Sequence, residues 1–525
     1  MPNDSEAVTY QRFNKREIRS VMIGLLLAMF LGSLDQTIVA TTLSTMARDL
    51  EGWEIMSWVV SGYMITSTTV TPIYGRLSDQ FGRRPLLLVA IFLFLASSIF
   101  CALADTMPML VLGRFLQGIG GGGLRSVAMA VVADVIPPRE RGRYQGYFSI
   151  NFAIATVLGP VLGGLFARYL TWHWIFWINV PLGLVALALS NRQLKRLGRP
   201  ARRPRVDWFG ALLILLGSTP LLYALGEVEQ AGGWGHARVL VPLGLGLASV
   251  LLLVWWETIA REPMLPLRLF RNRTFTAALT STSLANMIFT SLVVLIPLNY
   301  QLLGLPADQA GIRLIPFTIS GAIASFSVGY CVSRLGRARI FPLVGCALLT
   351  TMCGVMAWTG IGRSLASDLT VTFLLGATLG FQFNPVNVLV QNSLRMEDNG
   401  IGVSSQMFFR LMAAAFGVAL FTAFLIGTLS AGARTVPGHE ALGPEPGFAL
   451  LHLDLRRADL DPALITSLAQ TIHDAFSQIF LIMTGLAFLA FLATLRLKDE
   501  PLRGYAPSPA KPEERAVAAT RSESP

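Results

Sequence analysis

The sequence predicts an all-α polytopic membrane protein with fourteen spans, and three observations predict it. The composition is 53% hydrophobic and only 14% charged, with a mean hydropathy of +0.57, whereas a soluble globular domain carries roughly a quarter charged residues. Fourteen apolar runs can be counted, each near the ~20 residues that cross a bilayer as a helix. The basic residues cluster in every second connection between those runs along the whole chain, which puts them on one side. The net charge of +11 would suggest nucleic acid in a soluble protein. Here it is gathered in short connections on one side, where it fixes orientation, so nucleic-acid binding is excluded as a class.

The runs fall at about 20–43, 55–75, 85–104, 108–133, 145–168, 174–191, 208–226, 238–257, 274–302, 311–333, 339–359, 367–391, 402–427 and 475–496. With both termini cytoplasmic, the inner segments hold Arg12, Lys15, Arg16 and Arg19, then Arg76, Arg83 and Arg84, then Arg139, Arg141 and Arg143. Further along they hold the Arg192–Arg205 cluster, then Arg268, Arg271 and Arg273, then Arg334, Arg337 and Arg339. The outer loops carry mostly single bases, such as Arg48, Arg168, Arg238 and Arg363. An odd number of spans would destroy this alternation. The first run follows about twenty polar residues and reads as an uncleaved signal anchor. Cys101, Cys331, Cys346 and Cys353 all lie in apolar runs without a CxxC pair and read as small buried hydrophobes. The five histidines are scattered without metal spacing.

In the first span, Asp35 stands within LGSLDQTIVATTL. A carboxylate in mid-span costs roughly 2.5–3.5 kcal/mol on insertion scales and usually marks a pathway or a proton relay. A carboxyl whose proton affinity changes as a cavity turns from one face to the other can couple a proton to transport. The alternative is a structural carboxylate bonded between helices.

Between the second and third spans lies Gly75–Pro85, GRLSDQFGRRP. Gly75 allows close helix approach, and Asp79 stands where a carboxylate can cap the helix that follows. Gly82 permits a tight turn, Arg83 and Arg84 hold the cytoplasmic side, and Pro85 suits a first helical turn. This stretch resembles the signature G-x-L-a-D-r-x-G-r-r of the major facilitator superfamily, carried by Gly75, Leu77, Asp79, Gly82, Arg83 and Arg84. The resemblance implies two six-helix bundles facing a central cavity, with this loop gating the cytoplasmic side. The L-D-Q-T-I-V around Asp35 is similar to the first-helix motif of the fourteen-span drug:proton antiporters, with Ala40 where they commonly have Asn.

In the fourth span, Arg114, Gln117, Gly118 and Gly120 resemble the superfamily's R-x-x-Q-G-x-G. Helix 1 runs outward and helix 4 inward, so Asp35 and Arg114 reach comparable depths and can interact; the alternative is an Arg snorkelling to the interface. Arg125 departs from the family pattern. Eleven residues after Arg114, it falls roughly 20° from the same helix face, so both could line one cavity. There it would bias the substrate toward anionic or zwitterionic molecules; the alternative is a bridge to a carboxylate such as Asp134. In the fifth span, Gly159, Pro160, Gly163 and Gly164 resemble the antiporter motif of the superfamily. The proline can kink the helix, and the glycines four apart make a close-packing face. WHWIFWINVPLG at 172–183 resembles the family's W-R-W-I-F-x-I-N-x-P, with His173 for Arg.

The second half contains a degenerate copy of the loop, GYCVSRLGRAR at 329–339. Gly329 matches Gly75, Gly336 matches Gly82, Arg337 matches Arg83, and Ser333 stands for Asp79. The organisation is therefore an N-terminal tail at 1–19, a six-helix bundle at 20–191, a basic linker and two extra helices at 192–272, and a second bundle at 273–496. The second bundle holds a long outer loop at 428–474, and a disordered tail follows at 497–525. Polar stripes on helices 9, 12 and 13 supply cavity candidates: Asn286 with Ser283 and Thr290; Asn384, Asn387 and Gln391; and Gln406 and Arg410. Gln117 joins them from the first bundle. Such stripes can equally be glue between helices.

There is no phosphate-binding G-x-x-x-x-G-K-[ST] loop and no nucleophile triad, so ATP-driven pumping and enzymatic chemistry are not expected. The expectation is a proton-coupled antiporter of the bacterial cytoplasmic membrane that exports amphipathic small molecules, with Asp35 and Arg114 as the coupling pair and the proton gradient in place of a cofactor. The alternative is an exporter of one endogenous metabolite or lipid-like compound. Its partners are the substrate, protons and the lipid bilayer; the resemblance adds a periplasmic adaptor.

Overall fold

The computed structural model describes residues 15–136, 138–196, 207–230, 234–260, 263–302, 304–305, 307–360, 364–395, 398–436 and 462–498. Among them there is no strand, and fourteen long helices carry the fold. They are α1 Lys15–Asp49, α2 Ser57–Phe81, α3 Arg83–Ala102, α4 Met107–Val135, α5 Pro138–Tyr169, α6 Trp174–Gln193, α7 Trp208–Gln230 and α8 Ala237–Ile259. The second half supplies α9 Arg273–Leu302, α10 Ile315–Leu335, α11 Ile340–Thr359, α12 Leu365–Ser393, α13 Asn399–Ala433 and α14 Pro462–Leu495.

Thirteen of these are long and apolar enough to cross a membrane. The exception, α2, spans 25 residues but is rich in hydroxyls, several of which bond back into their own helix: Thr66 to the Gly62 carbonyl (2.9 Å) and Thr71 to that of Ser67 (2.7 Å). It lies packed against α4, α7 and α13, where protein rather than lipid meets those groups.

The first bundle is α1–α6. The run of glycines in α4 explains its position: a Cβ at Gly118 or Gly122 would strike the backbone of α2, and one at Gly120 the backbone of α3. α4 is thus held at backbone contact between two neighbours. On α5, Gly159 and Gly163 meet Thr37, Ile38 and Thr41 of α1, whereas a Cβ at Gly164 would meet nothing. Pro160 lies within α5. The second bundle is α9–α14, and it meets the first through α5 against α10 and α2 against α13.

The two added helices form an antiparallel pair. Asp207 accepts from the Gly210 amide (2.8 Å) and from the Trp256 indole (3.0 Å), tying the start of α7 to the end of α8. α7 packs against both α2 and α13, one helix from each bundle, and Ser218 bonds Thr69 across the first contact (3.0 Å). α8 turns Leu240, Leu245, Leu251 and Trp255 outward, as a lipid-facing helix does.

Four expectations are corrected. Gly75 and Asp79 are helical, because α2 continues to Phe81, and Gly82 alone makes the turn to α3 with φ 95°. The outer loop is shorter than 428–474: α13 runs on to Ala433 and α14 begins at Pro462, with 437–461 outside the described residues. Cys331 is exposed on the outside of α10, unlike the other three cysteines. Lys15–Arg19 of the expected N-terminal tail are already helical. Residues 1–14, 197–206 and 499–525, and so nearly all of both expected tails and much of the basic linker, lie outside the described residues.

Candidate functional site

Between the bundles lies a cavity of about 1100 Å³. Its inner end is framed by Arg125 of α4, Ser149 of α5, Asn384 and Asn387 of α12, and Arg410 of α13. It reaches the opposite helix ends at Trp234, Leu314 and Ser430. Its walls are largely apolar, with Met29, Met64, Phe152, Phe289, Phe317 and Phe383 among the lining side chains.

The inner end is shut by contacts across the bundles, at the end where α1 begins. The Asp79 carboxylate accepts from the Ile401 amide (2.8 Å), in the first turn of α13. It thus caps the helix of the opposite bundle, where the free amides and the dipole favour an anion. This corrects the expectation that it caps α3, whose N-cap is Gly82 without a side-chain bond. Arg83 is nearly fully buried rather than reaching for the interface: it pairs with Asp79, donates to Asp134 (2.7 Å) and to Ser78 (2.6 Å). Arg84 donates to Asn191 (2.6 Å). Gly75 lets α2 lie against Gly400 and Ser404 of α13.

The degenerate repeat makes the same closure on the other side of the bundle interface. Gly329 of α10 and Gly142 of α5 meet backbone to backbone, and Ser333 accepts from the Arg143 amide (3.2 Å). Ser333 therefore occupies the acceptor position that Asp79 fills on the other side, without its charge.

Asp35 is fully buried inside the first bundle. Its carboxylate meets Arg114 at 2.5 Å and accepts from Gln117 (2.9 Å) and Asn179 (3.1 Å). Arg114 also donates to the Val59 carbonyl (2.9 Å) and to Gln117 (2.7 Å), and its guanidinium lies 4.4 Å from the Tyr63 ring. Asn179 reaches on to Ser98 (3.0 Å). Asp35 does not line the cavity; its neighbours Ser33, Gln36 and Thr37 do, since successive helical residues turn by about 100°.

Arg114 and Arg125 likewise do not share one cavity. Arg125 lines it, whereas Arg114 is sealed behind Tyr63, which also borders a small hollow of about 20 Å³ beside Arg125 and Gln36. That is room for about one water molecule. Asp134 is taken by Arg83, so it is not the partner of Arg125.

Of the other cavity candidates, Asn286, Asn384, Asn387 and Arg410 line it, and Gln117, Gln391 and Gln406 do not. Gln117 serves Asp35, Gln406 is buried against Thr282 at 3.5 Å, and Gln391 is buried in α12. In each case a polar stripe wider than the cavity wall turned its edge into the bundle. The sequence reading missed the wall made by Leu222, Leu225 and Gly226 of α7 and by Trp234, because nothing in an evenly apolar run marks the side that meets a cavity. It also missed Asn179, though the I-N-V-P motif contains it.

The family model of the Major Facilitator Superfamily matches residues 25–418. An uncharacterised MFS-type transporter of Mycobacterium tuberculosis, Rv1877, is 32% identical over 490 residues, covering 92% of this chain and 70% of its own length. The multidrug transporter protein MdtP of Bacillus subtilis is 32% identical over 416 residues, covering 78% of this chain and 76% of its own. Among solved structures, the proton:xylose symporter XylE superposes with a TM-score of 0.60 at 16% identity, covering 93% of this chain and 97% of the other.

Proposed function

The chain belongs to the major facilitator superfamily and is a multi-pass membrane transporter rather than an enzyme, and we propose that it is a proton-coupled antiporter exporting amphipathic small molecules by alternating access. The observation that carries this reading is the Asp35–Arg114 pair, buried on α1 and α4, two of the helices that wall the cavity. Supporting it, relatives such as MdtP bear multidrug names, and the cavity is large and mostly apolar.

With the cavity closed at the Gly75–Pro85 end, the carboxylate is held by three donors and sealed. Substrate leaves toward the far ends of the helices. Rocking the bundles breaks the Asp79–Ile401 and Ser333–Arg143 bonds, opens the other face and moves α4 against α1. A shift that loosens Arg114 from Asp35 lets the carboxyl take or release a proton, and Tyr63 with its small hollow links that pair to the cavity. Each proton moving down about 180 mV supplies about 4 kcal/mol, enough for a solute gradient of roughly a thousandfold. The basic connections favour placing the closed end and both termini in the cytoplasm, in a bacterial inner membrane, with a periplasmic adaptor as a partner.

The test is dye efflux from vesicles with an imposed pH gradient, comparing the chain with Asp35→Asn. Gradient-driven efflux is expected to vanish while dye binding persists; efflux that survives removes Asp35 from the coupling.

A further inference from the structure

We infer that the cavity is built for amphipathic organic anions, held at its inner end between one guanidinium from each bundle. This rests on the transport reading above and names its substrate class. Arg125 of α4 and Arg410 of α13 both line the cavity. Neither has an ion pair among the described residues. No carboxylate is among the residues lining the cavity. Buried Arg83 and Arg114, by contrast, are each compensated by carboxylates, Arg83 by Asp79 and Asp134 and Arg114 by Asp35.

Two uncompensated guanidiniums in a mostly apolar cavity repel each other and are costly in low dielectric unless an anion joins them. A single carboxylate, sulfonate or phosphate between them would accept from both. The side-chain amide of Asn387, which also lines the cavity and makes no bond among the described residues, would offer a further donor. Phe383, whose ring lies 4.8 Å from the Arg410 guanidinium, and Phe289, Phe317 and Phe152 provide for an apolar body. The same electrostatics disfavour the lipophilic cations that an acidic cavity would take. They also give the anion a part in the cycle: it offsets the repulsion that opposes closing the bundles around an empty site.

The test is binding to the purified full-length protein in detergent, read by fluorescence, with three probes of similar size: an anionic naphthalenesulfonate dye, its uncharged sulfonamide and a cationic phenanthridinium dye. The anion is expected to bind tightest. Arg125→Met and Arg410→Met should each weaken it by roughly tenfold or more while leaving the sulfonamide unchanged, and Arg125→Lys should recover part of the loss. Equal affinity for the three probes, or unchanged anion binding in both Met variants, would overturn the inference. Elution as a single sharp peak shows that a variant is folded, and the sulfonamide reports an intact cavity. Displacement of the dye by phosphatidylglycerol supports the anion site with a lipid headgroup as its source; resistance to displacement supports it with a free solute. Because binding is read without a gradient, an uncoupled transporter would still answer this question. Gradient-driven export of the uncharged probe with no anion site would refute the substrate class alone.

Discussion

Asp35 shows what a single residue type in a single place can and cannot tell. A carboxylate in mid-span announced a functional or structural polar contact, and Arg114 was the partner that depth alone suggested. The bond at 2.5 Å agrees with that pairing, but the expectation that Arg114 and Arg125 line one cavity did not survive. Helical phase gives a face, not what stands in front of it, and here Tyr63 does. A buried ion pair is destabilised most when one partner is removed, by about 3–5 kcal/mol. Arg114→Met is therefore expected to lower the melting temperature in detergent far more than the Asp35→Asn/Arg114→Met double variant. If the two melt alike, the pair is not energetically coupled. Asn179→Ala removes one donor from the same carboxylate and should cost about 1–3 kcal/mol, visible in the same melting experiment.

At the scale of helices, the glycines proved the most readable feature. Gly75 and Gly329 were matched in sequence, and the structure puts both on cross-bundle contacts at the closed end. The matched Asp79 and Ser333 each accept a backbone amide from the opposite bundle. What spacing could not give was which helix Asp79 caps, because the partner amide lies 322 positions away in sequence. Two predictions follow at this scale. Gly329→Leu should force α10 from α5 and raise cysteine labelling at the closed end, while Gly164→Leu, with nothing near its Cβ, should leave labelling unchanged. Asp79→Asn should weaken the charged closure by about 1.5–3 kcal/mol, the contribution of a bond to a charged group. Labelling at the closed end would rise accordingly; no change would mean that the α5–α10 contact alone keeps that end shut.

For the whole molecule, hydropathy and charge alternation were enough to obtain the span count, because lipid demands long apolar helices whatever their neighbours, whereas the two-bundle plan came from the repeated loop and the family resemblance. They could not say where the added pair α7–α8 sits. That depends on which apolar face meets protein, and an all-round apolar helix has no marked face. α7 turned out to wall the cavity between α2 and α13. A Cβ at Gly226 meets nothing within 4 Å and points to open space in that wall. Gly226→Trp is thus expected to leave the melting temperature unchanged and to slow export of bulky substrates more than small ones. Equal slowing of both would show that α7 acts through helix packing rather than by occupying the passage.

The seat of α7 has a consequence for traffic. In a bare two-bundle carrier the seam between α2 and α13 is a slot through which an oily passenger could slip sideways from the surrounding leaflet. Here that slot is filled by a helix packed against both jambs, so that, on the alternating-access reading proposed above, a passenger arriving by that flank would have to wait for the floor to open.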